Sequence, residues 1–148
     1  MDQMILAEKL ESLRRCIKRI ADKKPRLIDS LIIDPDIQDI LVLNLTRAIE
    51  LCVDIGSHII SGSEATVPQT MGDVFTILQQ LNAISAQTSQ QLKKAVGFRN
   101  IAMHNYGTIN WEIVYAICDK SLEDFRTFAK EISHYTANPN GTDLRPNN

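Results

Sequence analysis

The sequence predicts an all-α protein, an antiparallel bundle of four to five helices with no sheet. Apolar residues recur at alternating spacings of three and four, the period of a half-buried helix. No segment sustains the period-two alternation of a strand. Residues that start helices precede the periodic runs, and only six Gly and five Pro interrupt 148 residues. A chain of this length is one domain and buries a full core without disulfide staples.

The elements follow in order. Leu6, Leu10, Leu13, Ile17 and Ile20 form one face of a first helix, which Pro25 ends. Asp34-Pro35-Asp36 opens the second. Asp34 caps it, Pro35 suits the first helical position, and Asp36 complements the positive helix end. Ile37, Leu41, Ala48, Leu51, Cys52, Ile55 and Ile59 then line one face to about Ser61, with Gly62 as terminator. Thr70-Met71-Gly72-Asp73 reads as a capping box with Asp in place of Glu, followed by Val74, Ile77, Leu78 and Leu81 at helical spacing. After a break over Asn82 to Ser85, a fourth helix carries Leu92, Ala95, Val96, Ala102 and Met103, and Gly107 is expected to stop it. Asn110 caps the last helix, whose inner side holds Val114, Ile117, Phe125, Phe128 and Ile132. Residues 1–137 form one helical domain on this reading. Residues 138–148 have almost no apolar content, so a mobile polar tail is expected there.

Composition narrows the class. Cys16, Cys52 and Cys118 are far apart and lack metal-ligand spacing, which suits buried, reduced thiols. No signal-peptide layout opens the chain, and no apolar run approaches the ~20 residues of a membrane span. A soluble, cytoplasmic protein with no membrane partner is expected. The net charge of −2 argues against indiscriminate nucleic-acid binding. Its distribution is uneven. Residues 1–26 hold eight basic side chains against four acids. From Val74 to Trp111 there is no Asp or Glu, while Lys93, Lys94 and Arg99 lie inside. Local positive surface is therefore available; a plain solvated helix face is the competing reading.

Chemistry concentrates at Arg99-Asn100-Ile101-Ala102-Met103-His104-Asn105-Tyr106, which reads R-N-x-x-x-H-x-Y. This resembles the signature of the HEPN superfamily, and specifically of the HepT-type toxins paired with minimal nucleotidyltransferase antitoxins. The motif stands at the end of the penultimate long helix, as in that family. The run Leu43 to Gly56 also looks like the family's long second helix. The resemblance covers about residues 3–135.

The resemblance implies a toxin endoribonuclease that cuts RNA without metal or other cofactor and leaves a 2′,3′-cyclic phosphate. It makes His104 the general base or the general acid, and an ordinary histidine suits either task near neutral pH. It makes Arg99 the group that pairs with the scissile phosphate. One histidine does not easily serve as base and acid at once, so a homodimer with two copies of His104 is expected. Tyr106 matches the tyrosine that receives AMP from the nucleotidyltransferase antitoxin in the family, and a larger hetero-oligomer with that antitoxin is open. Added AMP would bring bulk and negative charge beside the catalytic pair.

Helical geometry leaves alternatives. Asn100 and His104 share a face at i, i+4, so Asn100 either orients His104 or packs at a dimer contact. Arg99 and His104 stand about 140° apart on a regular helix, which requires a wide groove or a bent helix end to bring them together. The nearby sequence offers Arg99 no acid partner. On the second helix Arg47, Glu50, Asp54 and His58 form a polar stripe that lines the groove, binds the antitoxin or faces water. Lys93 and Lys94 are further groove candidates. The competing function is a catalytically silent helical subunit that scaffolds, or presents substrate to, a nucleotidyltransferase. The motif's completeness favours the enzyme, while the acidic net charge favours the silent subunit.

Overall fold

The computed structural model describes residues 2–138. The order is α1 (Gln3–Lys23), α2 (Ile28–Ile33), α3 (Pro35–Ser61), α4 (Met71–Gln80), α5 (Ala86–His104), a 3-10 turn (Tyr106–Thr108) and α6 (Trp111–Ala137). The described residues contain no strand. The expected tail lies outside them except for Asn138, which belongs to the helix end. It caps α6, with its side-chain amide donating to the His134 carbonyl at 2.9 Å.

Local sequence sets the helix boundaries. Asp34 accepts from the backbone N–H groups of Asp36 and Ile37, with Pro35 at the first helical position. Gly62 follows the last residue of α3. Thr70 and Asp73 close a reciprocal capping box on α4. Asn110 caps α6. Between α4 and α5 the chain turns at Asn82, whose φ of 61° is a left-handed conformation that Asn tolerates.

Two expectations fail. Helix α2 is absent from the sequence reading: six residues with only Leu31 buried are too short to show a period. Gly107 does not end α5. The helix stops at His104, where Asn105 leaves helical dihedrals (φ −152°, ψ 54°), and Gly107 lies inside the 3-10 turn.

Helix α3 is central and packs against every other α-helix. It contributes Leu45, Ala48, Cys52 and Ile55 to a core shared with Leu13 and Ile20 of α1, Phe75 and Leu78 of α4, Leu92 of α5, and Phe125 and Phe128 of α6. Phe75 and Phe128 meet edge to face, ring centroids 6.1 Å apart. Each such ring withdrawn from water contributes about 1.5–3 kcal/mol. Helices α3 and α4 approach closely at Gly56. A Cβ there would lie 2.8 Å from Leu78 Cδ1 and closer still to Val74, so only glycine allows this spacing. All three cysteines are buried free thiols; burial pushes the Cys118 thiol up to about 11. Among the described residues no helix is long and apolar enough to cross a membrane.

Candidate active site

The motif occupies the last turn and a half of α5 and the 3-10 turn beyond it. Both of its ends rest on α3. Arg99 Nε donates to Glu50 Oε1 at 3.3 Å. Tyr106 Oη donates to Asp39 Oδ1 in a short hydrogen bond. Glu50 and Asp39 stand about three helical turns apart, on the same side of α3. The motif therefore runs antiparallel to α3, with Arg99 at the Glu50 end and Tyr106 at the Asp39 end.

Arg99 is half-buried. Its side chain is 22% exposed, and that of Glu50 44%. A second hydrogen bond runs from Arg99 Nη1 to Asn100 Oδ1 at 3.3 Å. Two of the guanidinium's five N–H donors are thus used, and the others remain for an anion. This corrects two expectations. Arg99 does have an acid partner, one that sequence proximity hid because it lies on α3. Asn100 does not hold His104 from the turn below; its carbonyl oxygen serves Arg99.

His104 is the last helical residue of α5 and is exposed. Its side chain forms no hydrogen bond or ion pair among the described residues. The ordinary structural role, a ring nitrogen tied to a backbone carbonyl, is not what this chain shows. Arg99 is drawn toward α3 while His104 stands at the free end of α5, so the two are not joined within the chain.

Tyr106 packs edge-on against Trp111, ring centroids 5.9 Å apart. The chain can place it there because the helix has already ended. The Thr108 N–H returns to the Asn105 carbonyl at 3.0 Å, which folds the turn back toward α3. Partial burial, and then the hydrogen bond to the Asp39 carboxylate, push the phenol up to about 12. The hydroxyl is therefore neutral at physiological pH. Asp39 was missed by sequence reasoning, and only its place on the same side of α3 as Arg47 and Glu50 could have suggested it.

The α3 stripe divides. Arg47, Glu50 and Asp54 line a groove of about 640 Å³ between α1 and α3. His58 turns away from it and lies 3.3 Å from the Asp2 carbonyl. Lys93 and Lys94 are exposed on α5 and do not line this groove. Lys94 faces Asp124 of α6, where it opposes the burial that raises that carboxyl. No group of three or more His, Cys, Asp or Glu side chains with metal-ligand character occurs among the described residues.

Comparison with known proteins places this geometry in context. A family profile described as Ribonuclease HepT-like matches residues 6–132. The mRNA nuclease HepT of Shewanella oneidensis is 40% identical over 126 residues, spanning 84% of this chain and 92% of that protein. Among solved structures, the tri-AMPylated HEPN toxin of Shewanella oneidensis in complex with MNT antitoxin superposes with a TM-score of 0.83 at 39% identity, covering 90% of this chain and 98% of that one. A cytosolic protein of unknown function from Bacillus subtilis, YutE, shares the fold with a TM-score of 0.78 at 16% identity, over 97% of this chain and 96% of that one.

Proposed function

The chain belongs to the HepT-like ribonucleases, and from that premise we propose that it is a toxin endoribonuclease in which Arg99 and His104 cut RNA and Tyr106 is the site of neutralisation. The observation that carries this is the division of the motif: an arginine held in place by α3 and, at the free end of α5, a histidine side chain left without a partner. A prealigned guanidinium suits a phosphate whose charge grows in the transition state. An exposed imidazole at a helix end is free to exchange protons.

In the reaction the ribose 2′-oxygen attacks the adjacent phosphorus, and His104 takes the hydroxyl proton. The bond to the 5′-oxygen breaks, and that oxygen receives a proton as it leaves. The products are a 2′,3′-cyclic phosphate and a 5′-hydroxyl. Arg99 offsets the charge on the phosphate oxygens. Base and acid are two tasks for one imidazole, and a second copy of the chain supplies the second. Leu43, Ile101, Met103 and Ile113, exposed by 47, 52, 55 and 56%, give the neighbourhood of the motif the apolar surface a symmetric dimer would cover. Sedimentation at micromolar concentration should show that dimer.

The Shewanella toxin carries AMP and is bound to an MNT antitoxin. In this chain Tyr106 is the matching acceptor. Its neutral hydroxyl lies at the surface on a turn that can open from α3 once Asp39 releases it. An AMP on that oxygen places a phosphodiester charge and a purine two residues from His104, where RNA phosphate must enter. Like charges about 4 Å apart repel by ~4 kcal/mol at an effective dielectric near 20, before steric blockage is counted.

The test uses purified protein before and after incubation with the nucleotidyltransferase and ATP. Untreated protein should cut RNA and leave DNA intact, and treatment should add mass in units of AMP and stop cleavage. Tyr106→Phe should cut RNA under both conditions and gain no mass. An equal mass gain on both proteins would remove Tyr106 from its role.

A further inference from the structure

The basic residues near the N-terminus, read in the sequence as either a positive patch or a solvated face, resolve into two groups. Several are internally matched. Lys24 is tied to Asp119 at 2.6 Å and sits over the Tyr115 ring, which joins α1 to α6. Arg14 pairs with Glu11. In the α1–α3 groove, each of the three acids has its own cation: Asp22 with Lys18 at 2.8 Å, Asp54 with Lys9 at 3.9 Å, and Glu50 with Arg99 at 3.3 Å. Arg15 and Arg19 of α1 and Arg47 of α3 line the same groove, are exposed, and have no side-chain ion pair or hydrogen bond among the described residues. Arg19 stands near enough to Asp22 to help hold its carboxyl below the usual range, without bonding to it. The groove therefore presents three uncommitted guanidinium groups on an otherwise balanced surface.

We propose that this groove binds the phosphodiester backbone of the RNA strand leading to the cleaved linkage, with Arg15, Arg19 and Arg47 as its phosphate ligands. The proposal rests on the ribonuclease reading above and adds where the substrate lies. Two features support it. The groove adjoins the active site through one residue: Glu50 forms part of its wall and also holds Arg99, and Arg47 precedes Glu50 by less than one turn. The cations facing it without an ion pair are arginines, whose planar forks match phosphate oxygens in pairs. An acidic surface of a partner protein is the rival occupant. It is disfavoured because a strand reaching Arg99 must cross the adjoining surface in any case, and on this side that surface is the groove.

The test is RNA binding by the full-length chain in a His104→Ala background, measured with a single-stranded oligoribonucleotide at several salt concentrations. Removing Arg15, Arg19 and Arg47 together as glutamines should reduce the slope of log affinity against log salt by about 2, since each single-strand phosphate contact contributes about 0.7. Each single variant should reduce it by about 0.7. Arg14→Gln, one residue from Arg15 but off the groove, should leave the slope at the parent value. In the active protein, the triple variant should lose more kcat/KM on a long RNA than on a dinucleotide, which is too short to reach the groove. An unchanged slope overturns the proposal. So does an equal loss from Arg14→Gln, which would reduce the effect to bulk charge. Loss of antitoxin binding with the salt slope intact would assign the groove to the partner protein instead. Failure of the parent to cut either RNA would sink the ribonuclease reading separately, because the binding measurement involves no cleavage.

Discussion

The two ends of the motif are built differently, although both rest on α3. At the Arg99 end the side chain is half-buried and bonded to Glu50 and to Asn100. At the other end the helix has stopped, His104 is exposed without a partner, and Tyr106 sits on a short 3-10 turn with one side-chain hydrogen bond, to Asp39. A group that stabilises charge gains from being fixed before the substrate arrives. Groups that exchange a proton or accept a covalent addition must be reachable. On the proposed roles, the first task falls to a helix interior and the others to a helix end.

The difference predicts a graded set of losses. His104→Ala should be the most severe, lowering kcat by about 10²–10⁴-fold with the fold intact, since nothing in the core depends on that ring. Single-turnover cleavage beside a melting curve checks both statements; a fully active variant would remove His104 from the chemistry. Arg99→Lys should follow at about 10²–10³-fold. Lysine keeps the charge but cannot hold Glu50 and Asn100 while also forking onto phosphate.

Glu50→Gln sharpens the comparison because it loosens the Arg99 end without touching substrate chemistry. A charged hydrogen bond of about 1.5–3 kcal/mol is weakened, so kcat should fall by roughly tenfold. KM should fall as well, because a negative charge leaves the path of the phosphate. A structural role alone would lower kcat without that fall in KM. A rise in KM would contradict the positioning role.

Local chemistry made most of the fold legible. Asp34, Gly62, Thr70 with Asp73, and Asn110 act on backbone groups within a few residues, so their sequence order is enough to read them. The motif was legible for the same reason. Its partners were not: Glu50 lies 49 residues from Arg99, and Asp39 lies 67 from Tyr106. The periodicity of α3 revealed a polar stripe but not which helix it faces. Helical spacing puts Asn100 and His104 on one face and leaves Asn100 either to orient His104 or to pack at a dimer contact; in the structure its carbonyl oxygen accepts from the neighbouring guanidinium. The stop at Gly107 was misplaced because Asn105 left the helix first.

The smallest expected effect is at Tyr106. Its folded-state phenol is pushed up to about 12 from an ordinary 10. The folded protein thus keeps a proton that the unfolded chain releases between those values. The resulting stabilisation is fully present below pH 10 and is lost as pH rises toward about 12. The parent should lose more stability over that interval than Tyr106→Phe does, as read by denaturant midpoints. Asp39→Asn should lower the phenol's titration midpoint in an ultraviolet pH titration. An unmoved midpoint would mean that Asp39 does not hold the hydroxyl.

The most direct test of the whole account is the chemical form of the RNA ends. Mass spectrometry of the fragments made by the parent should find the upstream piece one water lighter than a linear 3′-phosphate, with a free 5′-hydroxyl on the downstream piece. Replacing the ribose at the cleaved linkage with its 2′-deoxy counterpart should block cutting there, and His104→Ala should yield neither product. Fragments ending in a 3′-hydroxyl and a 5′-phosphate, or cleavage that survives loss of the 2′-hydroxyl, would contradict it.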